Sequence, residues 1–167
     1  MEYNNWLDCI TPAVIAVIGG IWTFVQSRIQ KANTRAEVYN RFQEKFKDFQ
    51  DRLPSRINER NKNGNYSFRP ESEEEKDNYN RIIESYWWLV FDEWVVCCRE
   101  AKNCCHRLWK EYYSKGVQNA LERREFKDAL FRLVRKENSF LGCDNEFLDE
   151  IKRLYQEKYG KELFKNY

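Results

Sequence analysis

The sequence predicts an all-α protein in which one N-terminal transmembrane helix continues into a long cytoplasmic helix that packs on a helical bundle. Residues 9–27 carry no charged side chain, which indicates the membrane span. Downstream, apolar residues recur every three or four positions over long stretches, which is the spacing of one face of a helix. No segment alternates apolar and polar residues for long enough to indicate a strand.

The predicted anchor, residues 9–27, would span about 28 Å as a helix, close to the ~30 Å hydrocarbon thickness of a bilayer. Thr11 and Pro12 resemble an N-cap followed by proline at the first helical position. Trp6 and Trp22 lie near the two ends, where indole rings favour the interface. An interfacial or buried helix is the main alternative. A cleaved signal peptide fits less well, because no Lys or Arg precedes the apolar stretch.

The charges around the anchor predict its orientation in the inner membrane. Arg28, Lys31 and Arg35 follow the apolar stretch at once. The positive-inside rule therefore places the C-terminal part in the cytoplasm and the short N-terminus, residues 1–8, outside. Within the anchor, Ala16 and Gly20 lie one turn apart, and small residues at that spacing allow helices to associate in lipid.

Composition limits the partners of the part that follows the anchor. Removing Glu2 and Asp8 from the overall net charge of +2 leaves +4 in residues 28–167. That mild excess is compatible with an anionic lipid surface and is too weak by itself to indicate nucleic acid, which is not the expected partner. The second apolar run, residues 86–98, is too short to span a membrane and contains two acids, so it predicts a buried helix.

A stalk helix, residues 28–53, is predicted to continue from the anchor without a break, since neither Pro nor Gly interrupts it. Its apolar residues form a near-heptad seam. The seam consists of Ile29, Ala32, Ala36, Tyr39, Phe42, Phe46, Phe49 and Leu53. Two interpretations are open: the seam packs against its own domain, or Tyr39, Phe42, Phe46 and Phe49 pair with the same helix of a second subunit.

Residues 54–72 read as a polar, basic loop that contains Asn-Gly and Pro. Its cations are candidates for binding phosphate, an anionic lipid or a nucleotide, and a solvated loop is the alternative. The candidate ligand-binding residues are Arg52, Arg56, Arg60, Lys62 and Arg69.

A cytoplasmic helical domain, residues 73–167, opens with Ser72 and Glu75, which form a predicted capping box. The helix that follows is predicted to run to about Tyr113 and to stop at Ser114-Lys115-Gly116. Its seam steps evenly by three and four residues. The seam consists of Ile83, Trp87, Val90, Trp94, Cys97, Ala101, Cys104 and Leu108.

Two further helical regions complete the predicted bundle. The first runs from Val117 to about Glu137, with an interruption near Arg123-Arg124. The last is capped by Asp144. Its apolar face consists of Phe147, Leu148, Ile151, Leu154 and Tyr155.

Glu93 is the candidate buried acid, because helical phase places it at the edge of the seam. A carboxylate there must be paired, for example with an Arg of a neighbouring helix, or have a shifted pKa. His106 is the only histidine and is a weak catalytic signal. No residue is assigned a catalytic role.

The six cysteines are expected to be free thiols, because most lie on the side assigned to the reducing cytoplasm. Cys97-Cys98 and Cys104-Cys105 are separated by about 10 Å along a straight helix, too far for one zinc ion. No metal site and no cofactor is predicted.

The segments YWWLVFDEW, RLWKEYY and FKDALFRLV resemble a pattern in small bacterial membrane-anchored helical proteins of unknown function. The resemblance covers less than a third of the chain and implies fold and topology. Some small anchored helical proteins act as membrane effectors in antiphage defence. By analogy alone, antiphage defence is therefore a candidate role for this chain.

These observations lead to three hypotheses about function. The first is a non-enzymatic single-pass membrane protein whose cytoplasmic helical domain self-associates or binds a protein partner. The second is a ligand-gated membrane effector in which the basic loop or an inter-subunit cleft binds an anionic small molecule, such as a signalling nucleotide. The third is an enzyme, which would require Glu93, the cysteines and His106 to converge in one cleft.

Overall fold

A computed structural model describes residues 5–54, 70–135 and 145–163, and for residues 5–15 it describes the backbone alone. All regular structure in these ranges is helical, which confirms the all-α prediction. There are six α-helices in the described ranges: α1 (Asn5–Arg52), α2 (Glu73–Trp94), α3 (Lys102–Leu108), α4 (Ser114–Ala120), α5 (Arg124–Arg135) and α6 (Asn145–Tyr159). Two π-helical segments, Val95–Glu100 and Trp109–Tyr113, connect α2 to α3 and α3 to α4.

Helix α1 runs without interruption from Asn5 to Arg52, so the predicted anchor and stalk form one helix. Residues 16–33 are exposed along their whole length, and packing against the rest of the domain begins at Thr34. Among the residues described, we find no helix that is both long and apolar enough to cross a membrane. The predicted anchor also includes residues 9–15, whose side chains lie outside the described part of the chain.

Helix α2 begins where the capping residues predict. The Ser72 hydroxyl accepts a hydrogen bond from the backbone N–H of Glu75, 3.1 Å away. The Glu75 carboxylate accepts a hydrogen bond of 2.6 Å from the backbone N–H of Glu71 instead of that of Ser72. The cap is therefore the predicted one on the Ser72 side and is shifted by one residue on the Glu75 side.

The predicted single helix over residues 73–113 is wrong, because the chain folds back at Ala101. Its backbone leaves the helical region there, with φ −107° and ψ 30°. Asp92 forms an ion pair of 3.1 Å with Lys45 of α1. The Tyr113 ring lies 6.0 Å from the ring of Phe42, which is one turn before Lys45 on the same helix. A straight helix would separate Asp92 from Tyr113 by about 31 Å. Helix α2 and the α3–α4 region therefore form a hairpin, which packs against α1.

The π-helical segments change which residues face the core. At the corner, the Ala101 N–H donates to the Val96 carbonyl at 2.8 Å, a bond between residues five apart. Each such segment adds a residue to a turn, which shifts the phase of the apolar face. The seam consequently continues through buried Cys105, Trp109 and Tyr113. The positions predicted for an unbroken helix, Cys104 and Leu108, are half-buried.

The predicted stop at Ser114-Lys115-Gly116 is also wrong. Helical structure continues through Gly116 to Ala120, and the Ser114 hydroxyl donates to the Lys110 carbonyl at 3.0 Å. Glycine in a helix costs only about 1 kcal/mol relative to alanine, which the burial of Val117 and Ala120 offsets. A turn at residues 121–123 then separates α4 from α5, where the sequence predicts an interruption.

The core is built on tryptophan and other large side chains. Trp87 is fully buried, and its indole N–H donates to the Phe126 carbonyl of α5 at 2.8 Å. Helix α6 packs against α4, where the Gln118 amide donates to the Leu154 carbonyl at 3.1 Å. The face of α6 toward the core is the predicted one, with Phe147, Leu148, Ile151 and Leu154 buried. The predicted cap, Asp144, lies outside the described residues.

Candidate functional site

The N-terminal half of α1 presents large apolar side chains to solvent. We call residues 16–29 the apolar segment. Its exposed large side chains are between 42% and 64% accessible and comprise Val17, Ile18, Ile21, Trp22, Phe24, Val25 and Ile29. By helical phase, Ala16 and Gly20 lie on the same face as Phe24 and away from most of the other six. Apart from the backbone of its own helix, no described atom lies within 4 Å of a Cβ atom added to Gly20.

The aromatic seam of α1 packs inside its own domain. Phe42 and Phe49 are buried, with their rings 6.0 Å from Tyr113 and 5.4 Å from Tyr86. Phe46 is half-buried against the same core. Tyr39 contacts Tyr112 edge-on, and their hydroxyl oxygens are 3.2 Å apart. The structure therefore agrees with the first of the two interpretations: these aromatic side chains pack against their own domain.

Only one of the predicted anion-binding residues lies in the described part of the chain. Arg52 is exposed at the end of α1 and forms an ion pair of 3.5 Å with Asp48 one turn earlier. Arg56, Arg60, Lys62 and Arg69 lie outside the described residues.

Glu93 is buried between α1 and the hairpin, as its helical phase predicts. Within the described part of the chain no Arg pairs with its carboxyl group. Burial, reinforced by the neighbouring Asp92 carboxylate, raises the pKa of Glu93 to about 8, although Lys45 acts in the opposite direction. A buried carboxyl group must either be paired with a cation or have a raised pKa. Glu93 has the raised pKa, and its carboxyl group is largely protonated at neutral pH.

Two further polar groups share this interior region with Glu93. The Tyr113 hydroxyl is buried and has no hydrogen-bond partner among the described residues, and burial followed by the charge of Glu93 raises its pKa. Burial likewise raises the pKa of the fully buried Cys97 thiol to about 12. The interior therefore disfavours the ionised forms of Glu93, Cys97 and Tyr113, and their protonated, neutral forms are favoured.

The cysteines of the hairpin are free thiols. The sulfur atoms of Cys104 and Cys105 are 3.4 Å apart, which is a contact and not a disulfide bond. Burial raises the pKa of Cys105 to about 11, so its thiol is protonated and a poor nucleophile at neutral pH. The described residues contain no group of three metal-ligating side chains.

A groove of about 620 Å³ lies between the hairpin and α6. Trp94 and Trp109, which are nearly buried, line it. The hairpin contributes one wall, which carries Lys102, His106 and Lys110; the α6 wall carries Glu146, Asp149, Glu150 and Arg153. Cys98 also lines the groove, whereas Glu93 does not. The groups that the enzyme hypothesis needs in one cleft are therefore divided between the groove and the interior.

The two walls of the groove differ in how their charges are satisfied. Each acid on the α6 wall has a cationic partner: Glu146 pairs with Arg99 at 3.0 Å, Asp149 with Lys152 at 2.8 Å, and Glu150 with Arg153 at 2.7 Å. The Trp109 indole N–H also donates to Glu150 at 2.8 Å. The side chains of Lys102, His106 and Lys110, which we call the cationic row, form no hydrogen bond or ion pair with a described residue.

Sequence reasoning missed the cationic row, although a signal for it exists. Lys102, His106 and Lys110 recur at intervals of four, which places them on one face of a helix. What the sequence does not reveal is that α6 lies opposite this face, because α6 follows more than thirty residues later in the chain.

Comparison of the chain with protein-family models, with curated proteins and with solved structures gives no match. The resemblance to small membrane-anchored helical proteins therefore stays a prediction.

Proposed function

We propose that this chain is a non-enzymatic, single-pass membrane protein whose helical domain self-associates or binds a protein partner. The observation that carries the proposal is the apolar segment of α1. Seven large apolar side chains there are exposed, and no described element of the chain packs on residues 16–33. So much contiguous apolar surface is costly in water and is typical of contact with lipid or with another protein.

The charges next to the apolar segment support the proposed orientation. Arg28, Lys31 and Arg35 follow it on α1, and the whole described domain lies on their C-terminal side. The domain is then cytoplasmic and the N-terminus is outside. The single continuous helix α1 connects the membrane to the core of the domain through Phe42 and Phe49.

Membrane extraction tests the proposal. Membranes from cells that express the full chain are washed with alkaline carbonate, which strips peripheral proteins. We expect the natural chain to stay in the pellet. The double variant Ile18→Lys, Ile21→Lys is expected to move to the supernatant, since each lysine at mid-membrane costs about 2.5–3.5 kcal/mol.

The matched control is Gln30→Lys, Gln50→Lys, which adds the same charge at exposed positions of α1 outside the apolar segment. This control is expected to remain in the pellet. Release of the natural chain by carbonate would contradict membrane anchoring and would assign the apolar segment to a protein partner.

A second candidate function, a ligand-gated membrane effector, is favoured by the contacts between α1 and the hairpin. The Arg35 guanidinium donates to the Cys104 carbonyl at 2.9 Å, and Lys45 pairs with Asp92. A ligand that moves the hairpin would therefore also move α1. Nucleotide binding that is unchanged in the Arg56→Ala, Arg60→Ala variant would exclude the basic loop as the ligand site.

A further inference from the structure

We propose that the groove between the hairpin and α6 binds a phosphate-bearing anion through the cationic row, Lys102, His106 and Lys110. This inference goes beyond the proposed membrane anchoring and does not depend on it, because every residue that carries it belongs to the helical domain. It also differs from the predicted basic-loop site, which lies on another part of the chain.

The arrangement of the row matches an extended anion. Lys102, His106 and Lys110 are four residues apart on one face, so their Cα atoms follow one another at about 6 Å and cover about 12 Å in total. All three side chains are exposed to the groove and belong to helical structure. Two ammonium groups and an imidazole at this spacing can donate hydrogen bonds to the oxygens of more than one phosphate group.

The charges of the opposite wall do not neutralise the row. Its three acids are already paired with Arg99, Lys152 and Arg153, and Arg153 also pairs with Glu157. Lys102 and Lys110 form no ion pair with a described residue, and His106 interacts electrostatically with Glu150 across the groove. The groove therefore presents two unpaired ammonium groups, those of Lys102 and Lys110, beside two nearly buried tryptophans, and low-dielectric surroundings strengthen the attraction of an anion.

The position of the groove allows two sources for the anion. The hairpin corner lies beside Arg35 of α1, since Arg35 donates to the Cys104 carbonyl at 2.9 Å. Arg35 follows the apolar segment by less than two helical turns. A headgroup of an anionic lipid and a free polyphosphate therefore share the required chemistry, and the experiment separates them.

The single histidine provides a specific reporter for this site. Because His106 is the only histidine in the chain, an imidazole signal in the NMR spectrum of histidine-labelled protein arises from the groove alone. The full chain is placed in detergent micelles and titrated with inorganic pyrophosphate. In a parallel arm, it is placed in nanodiscs of phosphatidylcholine with and without phosphatidic acid.

We expect the imidazole signal to shift and to saturate in at least one arm, which identifies the source of the anion. The Lys102→Ala, Lys110→Ala variant should weaken binding about tenfold or more. Lys115→Ala, Lys161→Ala removes two exposed lysines outside the groove and serves as the matched control, with unchanged binding expected. Circular dichroism of both variants checks that they are folded.

Three results would overturn the proposal. The first is an imidazole signal that does not respond in either arm. The second is an equal weakening by Lys115→Ala, Lys161→Ala, and the third is an equal response to chloride, because either would show only general screening of surface charge.

Discussion

At the scale of single residues, Glu93 makes the stability of the domain dependent on pH. Its pKa is raised to about 8 from the ordinary 4.5, first by burial and then by Asp92. The folded state therefore holds a proton that the unfolded chain releases above pH 4.5. The free energy of unfolding contributed by this group is highest below pH 4.5, declines as the pH rises toward 8, and levels off above that value.

Substitution of Glu93 by glutamine should remove this dependence, because the amide occupies a similar volume and does not ionise. We expect Glu93→Gln to unfold with a free energy about 4 kcal/mol higher than the natural chain at pH 8 and only about 1 kcal/mol higher at pH 5. Urea unfolding followed by circular dichroism at both pH values measures this difference.

Glu100 provides the matched control for Glu93. It lies seven residues later in the hairpin and is exposed. Glu100→Gln should leave the free energy of unfolding unchanged within about 0.5 kcal/mol at both pH values. If Glu93→Gln behaves in the same way as Glu100→Gln, the Glu93 carboxyl group is hydrated in solution, and its assignment as a buried acid fails.

At the scale of elements, the apolar spacing predicts helices and their starting points well but does not predict the fold of the hairpin. Ser72 indicates the start of α2, and the buried face of α6 follows from Phe147, Leu148, Ile151 and Leu154. The corner at Ala101 escapes prediction, because φ −107° is open to any residue and needs neither Gly nor Pro. The same limit explains why the groove, which depends on that corner and on α6, was not predicted.

The reactivity of the thiols distinguishes the hairpin from a straight helix. A straight seam buries Cys97 and Cys104, whereas the π-helical shift buries Cys97 and Cys105 and leaves Cys98 and Cys104 partly exposed. A short pulse of N-ethylmaleimide under native conditions should therefore label Cys104 at least about tenfold faster than Cys97 and Cys105, and Cys98, whose pKa is raised to about 11 by burial, should also react slowly. Tandem mass spectrometry of the digested protein locates the labelled residues.

Labelling in urea gives the reference rate for each thiol without protection. Differences that disappear in urea arise from the fold and not from the local sequence. Native protection of Cys104 together with rapid labelling of Cys105 would contradict the corner at Ala101 and would restore the straight helix.

At the scale of the whole molecule, the burial of the aromatic seam determines which surface remains for self-association. Phe42 and Phe49 are covered by Tyr113 and Tyr86 of the same chain. They cannot pair with a second subunit unless the core of the domain opens. Among the helix-association candidates, Ala16 and Gly20 are the ones that the described residues leave uncovered.

We therefore expect the full chain to form an oligomer in mild detergent and Gly20→Leu to shift its native mass toward that of the monomer. Apart from the backbone of its own helix, no described atom lies within 4 Å of a Cβ at this position, so a loss of mass would report a contact with another molecule. Leucine also favours the helix more than glycine does, which keeps α1 intact. Native mass spectrometry or light scattering after size-exclusion chromatography measures the mass.

Gly116 offers a matched control for this last prediction, because it is helical, exposed and equally free of neighbours around an added Cβ. Gly116→Leu introduces the same side chain into the domain and should leave the oligomer unchanged. An equal loss of mass in both variants would point to a general effect of an added leucine. A natural chain that is monomeric in detergent would assign the apolar segment to lipid alone, and binding to a different protein would then be the remaining role of the domain.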